Sequence, residues 1–278
     1  MLSLFKRYRL NRSAVHTISP FTFLTVCERV KPMTQVEFEF AQQSLELSSE
    51  WLYKQQADLS YSDAGHFVVQ EYEDSGYQEL LSRKFALCSV PVALVNCHEL
   101  LLKAIPVLAL DNEGIGVIHI GHGFELKQSL EPTLGSAFHF MLSRFQNTRA
   151  FFIGAEVKRT PAQILEYAED LGCDWLSSDE CSFRHRSLLK NQLNHFMEHC
   201  DQLVLNIDLA SLVPSSGLSD DGILDNQMVL RILRHAILSK KVKLVQLVGS
   251  KDKLIYSKQT KEIVDELCSL SPEIIHTA

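Results

Sequence analysis

Two periodicities divide this chain. From Val90 onward, short apolar, β-branched runs (VPVALV at 90–95, VIHI at 117–120, AFFIG at 150–154, QLVLNIDL at 202–209, KLVQLV at 243–248) alternate with longer stretches whose apolar residues recur every three or four positions. The runs predict strands, with a shorter one at 175–177, and the intervening stretches predict helices at 137–144, 161–171, 187–200, 226–239 and 259–270. Thr160 and Pro161 are expected to open the second of these helices as N-cap and first helical residue. The stretch LLLKAIPVLAL at 100–110 predicts a further helix, bent or capped near its end by Pro106. Upstream, Phe38, Ala41, Leu45, Leu52 and Leu59 fit a helix or helical hairpin over 34–59. A strand-like alternation, HFVVQEY, lies between Gly65 and Gly76, and a helical pattern follows over 77–85. Strands separated by helices of about 10–15 residues make βαβ units. The expected architecture is therefore α/β: a mainly parallel sheet between two helical layers, a three-layer α-β-α sandwich forming one domain over 1–278.

Composition narrows the function classes. Of 278 residues 46% are apolar and 22% charged, an ordinary globular balance, and the formal net charge of -7 gives no attraction for nucleic acid or an anionic membrane. No apolar run is long enough for a membrane span, and no apolar segment follows the basic N-terminal residues as a secretory leader requires, so residues 1–15 are expected to be an exposed arm. The seven cysteines form no C-x-x-C pair and read as reduced residues of a cytoplasmic protein. No G-x-G-x-x-G, Walker A or G-x-S-x-G motif is present; Gly114-x-Gly116 precedes a strand, whereas a dinucleotide loop follows one.

Candidate chemistry gathers at the strand ends, where ligands bind in open α/β sheets. His98 follows VALVN, Gly121-His122-Gly123-Phe124-Glu125 follows VIHI, and Asp208 sits in LVLNID. An acid inside such a run is costly unless hydrogen-bonded, paired or coordinating a cation. Residue chemistry alone leaves both readings open: His98 and Asp208 fit capping or strand-end hydrogen bonds as well as a metal site. His119, His139 and His185 read as structural or surface residues.

These landmarks resemble the ureohydrolases (arginase, agmatinase and formimidoylglutamase), most nearly formimidoylglutamase, over roughly residues 85–270, with a divergent part before residue 80. NCHEL at 96–100 stands where that family has its Gly-Gly-Asp-His-Ser loop, and GHGFE at 121–125 where it has Asp-Ala-His-x-Asp. LGSAF at 134–138 is similar to the Ser-Gly-Thr-Pro-Phe substrate loop, placing Gly135 and Ser136 as substrate-binding residues. NIDLA at 206–210 is similar to the Ser-x-Asp-x-Asp strand, SGLSDDGIL at 216–224 to the Gly-rich loop after it, and LVQLVGS at 244–250 to the Val-Glu-x-Asn-Pro strand. The resemblance implies an arginase-like fold, a homo-oligomer and two Mn²⁺ ions bridged by a hydroxide on six protein ligands. Here four of those six positions differ: Gly121, Gly123 and Ala210 carry no donor, and Glu125 replaces an aspartate. His98 and Asp208 alone are unchanged. One metal position then keeps His98, Glu125 and Asp208, with His122 as a replacement ligand, and the other keeps Asp208 alone. Gln246 also stands where the family has a substrate-facing carboxylate, removing a charge that would meet a guanidinium or formimidoyl cation.

Two functions are expected from this. One is a ureohydrolase-fold binding or regulatory protein that takes a small amidine or amino-acid-like ligand, with no catalytic residue assigned. The other is a hydrolase of linear amidines working with a single Mn²⁺.

Overall fold

The computed structural model describes residues 20–55, 62–69, 75–111, 113–214 and 223–275. Its strands are β1 (Phe21–Glu28), β2 (Ser62–Val69), β3 (Val90–Val95), β4 (Ile115–Ile120), β5 (Thr148–Ala155), β6 (Asp174–Ser177), β7 (Gln202–Asp208) and β8 (Val242–Val248). They form one sheet in the order β2-β1-β3-β8-β7-β4-β5-β6, and every pairing is parallel. Parallel strands are covered on both faces, which is why the central ones read as continuous apolar runs. The helices are α1 (Gln35–Gln55), α2 (Ser75–Ala86), α3 (Leu101–Leu108), α4 (Ala137–Arg144), α5 (Ala162–Asp170), α6 (Arg186–Glu198), α7 (Asn226–Leu238), α8 (Asp252–Ile255) and α9 (Lys258–Ile275).

Two cores lie on opposite faces of the sheet. Residues of α1, α6, α7, α8 and α9 pack with Phe23, Val92, Ile118, Phe151, Leu205 and Val245 on one face. Residues of α2, α3, α4 and α5 pack with Leu24, Ala93, Val117, Phe152, Val204 and Leu244 on the other. The neighbouring numbers show the strand alternation directly, and the expected three-layer sandwich is the observed one.

Local chemistry fixes the helix starts. Thr34 and Glu37 form a reciprocal cap on α1: the Thr34 N–H donates to Glu37 Oε2 at 2.8 Å and the Glu37 N–H to Thr34 Oγ1 at 3.3 Å. Asp225 caps α7 by accepting from the Gln227 N–H at 2.9 Å. The expected cap on α5 is not the observed one. Pro161 takes the N-cap position itself, and Thr160 Oγ1 turns back to donate to the Glu156 carbonyl at 2.9 Å. Pro106 lies inside α3, near its end. Of the helix expected over 34–59, residues 56–59 lie outside the described residues, as do the arm at 1–15 and part of the loop at 216–224.

The sequence pattern assigned no element to the stretch that forms β1, yet β1 is a buried strand between β2 and β3. Two fully buried threonines break its apolar run. Thr22 Oγ1 pairs with Ser89 Oγ at 2.9 Å and Thr25 Oγ1 with His66 Nδ1 at 2.8 Å, so their burial leaves no hydroxyl unsatisfied.

Gly116 in β4 marks the tightest approach of helix to sheet. A Cβ there would overlap Cys200 Sγ and lie 2.9 Å from Phe196 Cε1 and 3.0 Å from Leu203 Cδ2. Gly116→Ala is therefore expected to lower unfolding free energy by about 1–3 kcal/mol through overpacking. Urea denaturation measures this, and an unchanged midpoint would contradict the packing.

Candidate active site at the strand ends

Three polar residues interrupt the apolar interior at one level of the sheet. The registers pair Ala93 with Gln246, Gln246 with Asn206, Asn206 with His119 and His119 with Phe152, so the three stand side by side on β8, β7 and β4 with apolar residues flanking them. All three are buried. Gln246 Nε2 donates to Asn206 Oδ1 at 3.2 Å, and Asn206 Nδ2 then donates to His119 Nδ1 at 3.0 Å and to His98 Nδ1 at 2.9 Å. Both imidazoles therefore use Nδ1 as an acceptor and hold their hydrogen on Nε2. The His119 ring meets Phe138, Phe152 and His98 edge-on at centroid distances of 5.3, 5.6 and 5.2 Å, and burial pulls its pKa well below the usual histidine range.

Above this row a cavity of about 460 Å³ opens over the ends of β3, β7 and β8. His98, Glu125, Asp208 and Gly135 line it, joined by Asn96, Glu99, Lys251 and Lys253. Asp208 closes β7 and caps the turn after it, accepting from the Ala210 N–H at 2.9 Å. His98 opens a 3-10 turn but caps nothing, because its ring is committed to Asn206. Glu125 has a left-handed backbone, φ 49°, and its carboxylate fills the room beside Gly123, where a Cβ would lie 2.6 Å from Oε1.

The other residues singled out from sequence do not face this cavity. His122 turns to the next strand, its Nδ1 3.1 Å from the Gly154 carbonyl, a direction the glycines on either side permit. Ser136 is buried and spends its hydroxyl on the Thr133 carbonyl at 2.6 Å. Gln246 lies one layer below, fully buried, with Oε1 unpartnered. His139 bonds Tyr167 through Nδ1 at 2.7 Å, and His185 lies near Ser182 at 3.2 Å, both away from the cavity.

Sequence reasoning missed Glu99, Asn206 and the part His119 plays. Asn206 and His119 carried a readable signal: each is a polar residue inside an apolar run within two positions of the end of its strand, as Gln246 is. Glu99 carried none, since HEL reads as the start of an exposed helix. It is buried, accepts from the Gly135 and Ser136 N–H groups at 2.9 and 3.1 Å, and so ties the loop at 134–136 to the end of β3. Burial raises its pKa.

The structure allows a test of the implied metal. Gly121 stands beside Asp208, because the β4–β7 register carries Ile120 and Ile207 into these two positions. A Cβ at 121 would lie 2.7 Å from His119 Nε2 and 3.1 Å from Asp208 Cβ, so the His119 ring fills the space a side chain would need. His98 Nδ1 accepts from Asn206 and has no lone pair left for a cation, while Nε2 carries the hydrogen. Among the described residues no three His, Cys, Asp or Glu side chains gather as a cation site. The donor set at the strand ends is thus one imidazole and two carboxylates, with glycine at 121 and 123.

A second carboxylate, Glu28, is largely enclosed at the end of β1. Asn96 joins the ends of β3 and β1, accepting from the Glu28 N–H at 2.8 Å and donating to the Glu28 carbonyl at 2.7 Å. Burial lifts the Glu28 carboxyl from the ordinary 4.5 to about 7; Lys103, at 3.7 Å, lowers it, and Glu99 raises it. The folded chain therefore holds the extra proton between these values, and stability contributed by the protonated acid is lost as pH rises through about 7. Glu28→Gln is expected to gain stability relative to the native chain, by roughly 1–3 kcal/mol, between pH 5 and pH 8. Urea unfolding at both pH values checks this; a difference independent of pH would contradict a buried, proton-holding Glu28.

No protein-family model matches the chain. A formimidoylglutamase of Staphylococcus carnosus is 22% identical over 183 residues, 64% of this chain and 58% of that protein, so the match spans less than two thirds of the relative. A formiminoglutamase variant of Trypanosoma cruzi, solved with Mn²⁺, superposes with a TM-score of 0.70 at 12% identity, covering 96% of this chain and 95% of the other. The arginase of Bacillus caldovelox superposes with a TM-score of 0.66 at 12% identity, covering 91% and 98%. No helix among the described residues is long and apolar enough to cross a membrane. The order of strands and the superpositions lead to one conclusion: the chain has the arginase-like fold of the ureohydrolases, and in sequence it is similar to formimidoylglutamases.

Proposed function

We propose that this chain is a ureohydrolase-fold binding or regulatory protein of the cytoplasm. In this reading its strand-end cavity holds a small amidine or amino-acid-like ligand without the dinuclear manganese centre. The observation that carries the reading is the crowding at Gly121: the place of the first aspartate of the family's Asp-Ala-His-x-Asp motif has no carboxylate, and His119 fills the space beside it. Ala210 and Gly123 remove two further donors, and Gln246 is both neutral and too deep to meet a substrate cation. What remains is a dipolar cavity. Asp208 and Glu125 supply negative charge from β7 and the loop after β4, and Lys251 and Lys253 supply positive charge from the segment after β8. A ligand with a cationic amidine at one end and a carboxylate at the other would satisfy both.

A second reading rests on its own observation. His98, Glu125 and Asp208 line the same cavity, and two carboxylates with an imidazole suit Mn²⁺. A single-ion linear-amidine hydrolase on these residues requires His98 to leave Asn206 and expose a lone pair.

Elemental analysis after purification with added Mn²⁺, on the native chain and on Asp208→Ala, separates the two. The expected result is well below one ion per chain in both proteins, with native thermal stability raised by an amidino amino acid such as arginine or N-formimidoyl-glutamate. About one ion per native chain, lost in the variant and accompanied by turnover of either compound, would overturn the binding-protein reading in favour of the hydrolase.

A further inference from the structure

Two surface patches on this chain complement one another. The first is the outer face of α1. Val36, Phe40 and Leu47 are 59%, 66% and 52% exposed. At about 100° per residue they fall within about 40° of one another, a single stripe roughly 16 Å long. The helix is acidic around it: between Gln35 and Leu52 it carries four exposed glutamates, Glu37, Glu39, Glu46 and Glu50, of which Glu37 is spent on the Thr34 cap, and no lysine or arginine.

The second patch is a groove of about 360 Å³ between α6 and α7. Leu189, Leu193, Met228 and Ile232 line it, and Arg186, Lys190 and Arg231 stand around it together with Arg234, which is paired with Glu266 at 2.6 Å. Phe183, Leu188 and Leu238 extend the apolar surface, at 52%, 41% and 46% exposure. The guanidiniums of Arg186 and Arg231 flank the Phe183 ring at 4.4 and 5.1 Å from its centroid, holding it outward. This cationic collar belongs to a chain of formal net charge -7, so it is a local concentration of charge.

The two patches cannot meet within one molecule. α1 packs on the side of β1, whereas α6 packs against β5, where Phe196 meets Phe151 at 5.4 Å; five inter-strand steps separate β1 from β5, about 24 Å. The chain's own N-terminal residues are basic, with Lys6, Arg7, Arg9 and Arg12, and like charge disfavours them as occupants of the groove. We infer that the α6–α7 groove receives α1 of a second copy of this chain, its apolar stripe on the groove floor and its glutamates against the arginine rim. Such a contact joins different surfaces of the two copies and so builds a ring where the rotation closes and a filament where it does not.

Sedimentation velocity of the full chain over a range of concentration and salt tests the contact, using Phe40→Glu, which spoils the stripe, and Arg231→Glu, which spoils the rim. Both positions are exposed, and circular dichroism verifies folding. The native chain is expected to assemble with concentration and to weaken with salt, and each variant alone should raise the dissociation constant about tenfold or more. An equimolar mixture of the two variants should form a heterodimer that grows no further, since one intact stripe and one intact groove remain. A native chain monomeric at all concentrations, assembly unaffected by either variant, loss with Arg231→Glu alone, or no heterodimer in the mixture would each overturn the inference; loss with the groove variant alone would assign the groove to another occupant.

Discussion

The site depends on one buried hydrogen-bonded row. Gln246, Asn206 and His119 cross three adjacent strands inside a layer that is otherwise apolar, and His98 joins them from the loop after β3. Hydrogen bonds along the row meet most of its buried donors and acceptors, each of which costs about 1–3 kcal/mol if unmet, while Gln246 Oε1 and His119 Nε2 stay unpartnered. Asn206 is the hinge of the arrangement: its carbonyl accepts from Gln246 and its amide donates twice, fixing both imidazoles in one tautomer. The same bonds turn His98 Nδ1 toward Asn206 and hold the His119 ring over Gly121.

Charge in the site is therefore arranged in two levels. The lower level holds no carboxylate and no lysine or arginine: it is two amides and two imidazoles bonded through Nδ1. The upper level holds the ionisable groups, with Asp208 and Glu125 lining the cavity across from Lys251 and Lys253. Glu99 serves both levels by holding the Gly135–Ser136 backbone while lining the cavity floor. Where dinuclear chemistry calls for several carboxylates around two cations, this chain offers glycines whose space is taken by its own side chains: His119 at Gly121 and Glu125 at Gly123.

The sheet was legible because its central strands are buried on both faces, so VALV, IHI and LVLNI are apolar without interruption by surface residues. β1 was not, because Thr22 and Thr25 break its run and are buried by virtue of partners on distant segments, Ser89 and His66. In the site, His98, Glu125 and Asp208 could be placed at strand ends from sequence, and the structure sets all three around one cavity. The direction of His122 and the depth of Gln246 could not be read, since a backbone turn at two glycines decides the first and the strand register the second. Glu99 was hidden for a related reason: its burial depends on a loop that arrives from residues 134–136.

The claim on which the account turns is that no pair of metal ions can be held between Asp208, Glu125 and His98. Anomalous diffraction at the manganese edge, from crystals of the full chain soaked in Mn²⁺, tests it most directly. The account predicts no pair of peaks in the cavity and a His98 ring still bonded to Asn206. Two peaks roughly 3.5–4 Å apart beside Asp208, the spacing of a two-metal site, would contradict it.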